Sequence, residues 1–153
     1  MKNRRTIRLI VLAIIMVTAL FTRLTSDDPV ATGGTSGDAV LTAGEQAIID
    51  AFNDRRSDVI VEASGVIERL LPDDTDGTPH QKFIVRLPSG HTVLISHNTA
   101  LAPRIPFPDT GQPITFAGEY EWNRDGGVVH WTHHDPRGRH PGGWLEYQGK
   151  RYE

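Results

Sequence analysis

Gln81-Lys82-Phe83-Ile84-Val85-Arg86-Leu87-Pro88-Ser89-Gly90-His91-Thr92-Val93-Leu94-Ile95-Ser96-His97 is the stretch that decides the fold class. Phe83, Val85 and Leu87 lie on one face, a period of two that stands one side of a strand on a core. Pro88-Ser89-Gly90 reads as a tight turn, and His91–His97 as a third strand, with His91, Val93 and Ile95 on one side. So short a connection joins antiparallel neighbours, so a hairpin is predicted over 81–97.

The same period continues on both sides. Pro113–Trp122 sets Ile114, Phe116, Gly118, Tyr120 and Trp122 inward and Thr115, Glu119 and Glu121 outward. Asn123–Gly127 is a turn, and Gly127–Thr132 a fifth strand. Asn98–Gly111 between them is Pro-rich and without a clear period. Upstream, Val59, Val61 and Ala63, then Val66 and Ile67 around Gly65, form a long first strand. A glycine inside it marks a bend. Pro72–Pro79 is a polar turn.

Before the strands, Gly44–Arg56 reads as a helix, with Ile48, Ile49 and Phe52 on one face and Ala51 beside them. Glu45 in its first turn and Arg55 and Arg56 in its last suit the helix dipole. Fifteen Gly and ten Pro in 153 residues agree with short strands and many turns. The predicted class is mainly β: a small five-stranded OB-like barrel preceded by one N-terminal helix. An SH3-like barrel or an open antiparallel sheet is the alternative.

The N-terminus has a different chemistry. Lys2, Arg4, Arg5 and Arg8 precede an uncharged apolar run of 13 residues, Leu9–Phe21. A cationic stretch followed by an apolar run of this length reads as a secretory signal. Spanning a bilayer takes ~20 residues, so the run is short for an anchor unless Thr22–Leu24 extends it. Residues 1–24 are therefore expected to be a signal peptide or a signal anchor, and 25–42 a flexible spacer rich in Gly, Thr and Ser. Residues 43–153 form one β-rich domain with a His- and Gly-rich C-terminal tail. Either fate of the leader exports the domain, to the periplasm or to the outer side of the inner membrane. Cysteine is absent, which excludes disulfides, thiolate chemistry and a lipid-anchoring cysteine.

Five of the 16 basic residues lie in Met1–Arg23, which has no acid; the remaining 11 face 19 acids, so the rest of the chain carries about −8. An acidic domain does not advertise binding to a phosphate backbone, and no strong nucleic-acid signal is present.

The chemistry concentrates in the tail. Four of the seven histidines fall within eleven positions, in His130-Trp131-Thr132-His133-His134-Asp135-Pro136-Arg137-Gly138-Arg139-His140. Neutral imidazole is the commonest metal ligand. His130 at a strand end and His133 or His134 in the following turn are candidate ligands for a divalent metal such as zinc. Asp135 is an oxygen ligand or an orienting partner, and His140 completes the site if the loop folds back. His97 and His80 are candidates to approach it from neighbouring strand ends. The competing reading is that these side chains hydrogen-bond an irregular backbone that has no ladder, with Trp131 and Trp144 packing the tail on the barrel.

Other features read more simply. His91 is a barrel-mouth histidine. Asp73, Asp74 and Asp76 offer oxygen ligands for calcium, but no bidentate Glu follows at EF-hand spacing, so a solvated turn is the simpler reading. Arg137 and Arg139 suit an anion clamp or plain exposure.

HWTHHDPRGRHPGGW, with GEYEWN and HQKFIVRLPSGHTVLISHN upstream, resembles a bacterial family termed domain of unknown function 3465. The resemblance runs from about Val59 to the C-terminus, with His130–Pro136 as its hallmark. A short exported N-terminus also fits that family. It implies no assigned activity, so no catalytic residue is carried over. Three functions follow as expectations. One is an exported OB-like domain binding a metal or small ligand through the tail histidines. Another is a metal-dependent hydrolase of phosphodiesterase or nuclease type, and the third a structural envelope protein. The membrane is a partner if the leader stays uncleaved; a small-molecule or protein partner is left open.

Overall fold

The computed structural model describes residues 41–153. The expected leader and nearly all of the expected spacer lie outside the described residues. Among the described residues no helix is long and apolar enough to cross a membrane.

Helix α1 covers Ala43–Asn53. Its start is fixed by Thr42, whose hydroxyl accepts the Glu45 backbone N–H at 3.2 Å. It stops three residues short of the predicted end. Arg55 turns left-handed at φ 55°. The Arg55 and Arg56 N–H groups then close back on the Phe52 and Ala51 carbonyls at 3.2 and 2.8 Å. That is a Schellman ending, and it leaves both arginines beyond the last turn. Ile48 and Ala51 are wholly buried against the sheet, while Ile49 and Phe52 are half-buried. The buried Glu45 carboxylate accepts the Ser89 N–H at 2.7 Å and so ties the helix to the turn of the predicted hairpin.

Seven strands follow: β1 Val59–Asp74, β2 His80–Arg86, β3 Thr92–Asn98, β4 Pro113–Glu121, β5 Val128–His130, β6 Trp144–Tyr147 and β7 Lys150–Tyr152. The hairpin is as predicted, with Phe83 opposite Ile95 and Val85 opposite Val93. Five strands run in the order β1-β2-β3-β5-β4, and a β1–β4 pairing returns the last to the first. The result is a barrel-like ring of the OB-like kind, and the open-sheet alternative does not hold. Strands β3 and β5 pair in parallel, Leu94 with Val128 and Ile95 with Val129.

Strand β1 runs farther than predicted. Pro72 to Asp74, expected in the turn, remain in the strand because Asp74 still pairs with His80 across an irregular register. The acidic end of the strand makes ordinary ion pairs, Asp73 with Arg104 and Asp74 with Lys82 at 3.6 Å. Strand β5 is shorter than predicted. Trp131 takes a left-handed φ of 54° and ends it. The tail also contains a second hairpin, β6–β7, which docks on β4 with Ala117 opposite Trp144 and Phe116 opposite Leu145. Its entry is tight: a Cβ on Gly143 would stand 2.1 Å from the Trp131 carbonyl oxygen and 2.4 Å from that of Ala117.

The core fills the ring. Phe83, Val85, Ile95, Phe116 and Tyr120 are all fully buried. The Pro-rich connection closes one end, where the buried Gln81 side chain exchanges two 2.9 Å hydrogen bonds with the Ile105 backbone. His91, predicted at the barrel mouth, puts Nε2 2.8 Å from the Gly126 carbonyl and its ring edge-on to Phe52. Truncating Phe116 to Ala is expected to cost ~3–5 kcal/mol, because the cavity lies where β1, β4 and β6 meet and cannot collapse without moving all three. Chemical denaturation measures this; a loss below ~1 kcal/mol would show that Phe116 does not face the core.

Candidate functional site

The outer face of β4 sets the site. Alternation that buries Phe116 and Tyr120 turns Glu119 and Glu121 outward. The short turn after β4 returns β5 antiparallel, so Glu119 stands directly opposite His130. His130 Nε2 lies 3.4 Å from Glu119 Oε1 and 3.8 Å from Glu121 Oε1. It is buried at the atom and has no hydrogen-bond partner among the described residues. One donor atom from each of the three residues lies within 4.8 Å of the others.

The tail brings a second imidazole to the same carboxylate. His140 Nε2 meets the other Glu119 oxygen, Oε2, at 2.9 Å, and His140 Nδ1 meets the Pro141 carbonyl at 2.7 Å. Both partners are acceptors, so both ring nitrogens donate and the ring is an imidazolium. Burial opposes that charge, but the Glu119 hydrogen bond, the Pro141 carbonyl and the nearby carboxylates of Glu119 and Asp135 outweigh it and raise the His140 pKa. The cation stacks on the Trp131 indole, 4.1 Å between centroids and 12° from parallel. Trp131 presents that ring from its left-handed backbone, a conformation costing a bulky residue of order 1–3 kcal/mol.

The other expected ligands have different roles. His97 is wholly buried at the end of β3. Its Nε2 donates to the Pro103 carbonyl at 3.1 Å, and its Nδ1 accepts the Thr132 hydroxyl at 2.8 Å. The Thr132 hydroxyl can donate to a neutral ring, and burial above all lowers the His97 pKa. His133 is buried and donates through Nδ1 to the His134 carbonyl at 2.8 Å, while the His134 side chain is exposed. His80 stays by its own turn, 2.6 Å from the Thr78 carbonyl. Asp135 holds the loop together. Its carboxylate accepts backbone N–H groups of Arg137 at 2.9 Å, Arg139 at 2.7 Å and His140 at 3.0 Å. The structure thus brings His130 and His140 together, through Glu119, and directs His97, His133, His134 and Asp135 elsewhere.

Glu119 and Glu121 were not among the sequence candidates. Their signal was present: two carboxylates two apart on an outward strand face, followed after a short turn by a strand that has to pair antiparallel and carries His130.

The chain belongs to the family of proteins of unknown function DUF3465, whose match covers residues 32–153. No curated protein matches it.

Asp135 yields a pH dependence. Backbone N–H groups of Arg137 and Arg139, opposed by burial and aided by the His140 N–H and the Arg139 charge, lower its pKa from 3.8 to about 2. A carboxyl depressed in the folded state adds stability that is fully present above its unfolded pKa and is lost as pH falls through the folded one. Wild type is therefore expected to lose this increment between pH 3.8 and about 2, and Asp135→Asn to lack it throughout. Carbon-detected NMR of the Asp135 carboxyl checks the assignment; a midpoint near 4 would contradict it.

Proposed function

We propose that this protein is an exported OB-like domain that binds a divalent cation through Glu119, Glu121 and His130. The observation that carries the reading is the His130 Nε2 atom, buried, without a hydrogen-bond partner among the described residues, and facing two carboxylates. A histidine placed for an ordinary ion pair approaches its carboxylate at about 2.7–2.9 Å. Two donors ~2.1 Å from a tetrahedral ion stand about 3.4 Å apart, and the spacings here are 3.4 and 3.8 Å. Charge agrees: two carboxylates against one imidazolium leave a net negative site. A nitrogen and two carboxylate oxygens suit zinc or a similar divalent ion.

Zinc is expected to raise the melting midpoint of wild type, and chelator to reverse the rise. At a hundred times the dissociation constant the gain is ~2.7 kcal/mol. His130→Ala and Glu121→Gln are expected to lose the rise, and His133→Ala to keep it. The affinity falls in acid, because coordination needs neutral imidazole and ionised carboxylates. A wild type indifferent to zinc, or a His130→Ala variant that responds equally, overturns the reading.

The second reading, a metal-dependent hydrolase, draws on the donor count. Three protein ligands at a half-exposed position leave a fourth for water, as in catalytic rather than closed zinc sites. The third, a structural envelope protein, draws on His97, His133 and His140, each of which bonds a backbone carbonyl.

Export belongs to the same proposal and rests on the four cations before Leu9–Phe21. The leader, if uncleaved, holds the domain at the membrane. Nucleic acid is not a proposed partner, given the acidic balance of the chain after Arg23. An alkaline phosphatase fused after Glu153 is expected to be active in cells and to lose activity when Leu9–Phe21 is deleted. Equal activity without that run would place the signal elsewhere or nowhere.

A further inference from the structure

Beside the His130 site the tail forms a cleft of about 420 Å³ whose lining includes Leu101, Trp131, Asp135, Arg137, Arg139 and His140. Three features set it apart from an ordinary surface dimple. Its apolar walls come from distant parts of the chain: Leu101, in the Pro-rich connection, is 45% exposed, and faces the cleft with the indole of Trp131. Trp131 is held at a left-handed φ of 54°, which sets the ring there. Neither Arg137 nor Arg139 has a carboxylate within ion-pair distance among the described residues, although acids outnumber bases in the chain.

The loop is built to present those two guanidinium groups together. Asp135 gathers the Arg137 and Arg139 backbone N–H groups, and Gly138, at φ 60°, lets the turn close with its N–H on the Asp135 carbonyl at 3.0 Å. The Asp135 carboxylate is occupied by three backbone donors and the His140 imidazolium by Glu119. The two guanidinium groups are thus the cations left to meet a ligand. Forked guanidinium donors suit tetrahedral and planar oxyanions. Two of them match a dianion, which a phosphate monoester approaches at neutral pH.

We infer that this cleft binds a small organic phosphate, its flat apolar body on Trp131 and Leu101 and its phosphate between Arg137 and Arg139. The inference does not rest on a metal at Glu119, Glu121 and His130, and the experiment is run in chelator so that the two stand or fall separately.

Phenyl phosphate is the probe, titrated into the full domain and followed by the Trp131 indole N–H resonance, assigned with Trp131→Phe. The expected result is saturable binding, weakened about tenfold or more by Arg137→Gln and by Arg139→Gln, each of which removes charge-assisted hydrogen bonds. Both side chains are exposed, so the variants are expected to melt with wild type. Phenol and inorganic phosphate are expected to bind at least tenfold more weakly than phenyl phosphate. The inference is overturned by no saturation of the Trp131 resonance, or by arginine variants that bind like wild type. Benzoate binding as tightly as phenyl phosphate overturns the phosphate assignment. Inorganic phosphate binding as tightly overturns the role of the apolar wall.

Discussion

Strand β1 serves two neighbours at once, and the ring exists because it can. Its first half, Val59 to Val66, pairs with β4, and its second half, from Val66, pairs with β2. The change of partner falls at Gly65 and Val66. A Cβ at Gly65 would stand 2.5 Å from both the Arg86 carbonyl oxygen and a Val85 methyl, so the strand bends there only because no side chain intervenes. With β1 bent, β4 lies beside its first half and β2 beside its second, and the parallel β3–β5 pairing completes the circuit. The sheet keeps no open edge within the ring, and the core residues meet from every side.

Ring closure also decides where chemistry can sit. Side chains that point inward are committed to packing, so polar residues that converge do so on the outer wall or at the ends. Histidine shows the division. His97 points inward, and burial with two neutral partners holds it uncharged. His140 reaches the outer wall and meets a carboxylate, which holds it charged. The same side chain is a neutral strut in one place and a cation in the other, because the dielectric and the partner differ.

The hairpin 81–97, the alternation of β4 and the buried set of Phe83, Val85, Ile95, Phe116 and Tyr120 were legible in the sequence, because period two over seven or more residues encodes a buried face directly. The β6–β7 hairpin was not. Its strands are four and three residues long, too short for a period, and what fixes them is docking on β4. Half of the site was legible for a related reason. A dense run of histidines draws notice, but whether His133 meets His130 or a backbone carbonyl depends on the path of a chain without a ladder. Around Asp135 that path is set by three backbone hydrogen bonds, which residue spacing alone does not reveal. Glu119 and Glu121 are the reverse case, unremarkable in composition and decisive once cross-strand register is known.

Glu119 joins the regular and irregular parts of the molecule. Register on β4 places its Cα opposite His130, but register does not fix the rotation of a long carboxylate side chain. The His140 imidazolium supplies that constraint by engaging Oε2, which leaves Oε1 toward His130. His140 is in turn fixed from three directions: its N–H on Asp135, its ring on Trp131 and its Nδ1 on the Pro141 carbonyl. A group oriented in advance loses less conformational freedom when a ligand arrives, so the irregular tail contributes to the wall site through orientation, even where it contributes no donor of its own. The tight entry at Gly143 matters for the same reason. It seats the tail against the backbones of Trp131 and Ala117, one residue from His130 and two from Glu119, so small displacements of the tail reach the carboxylate directly.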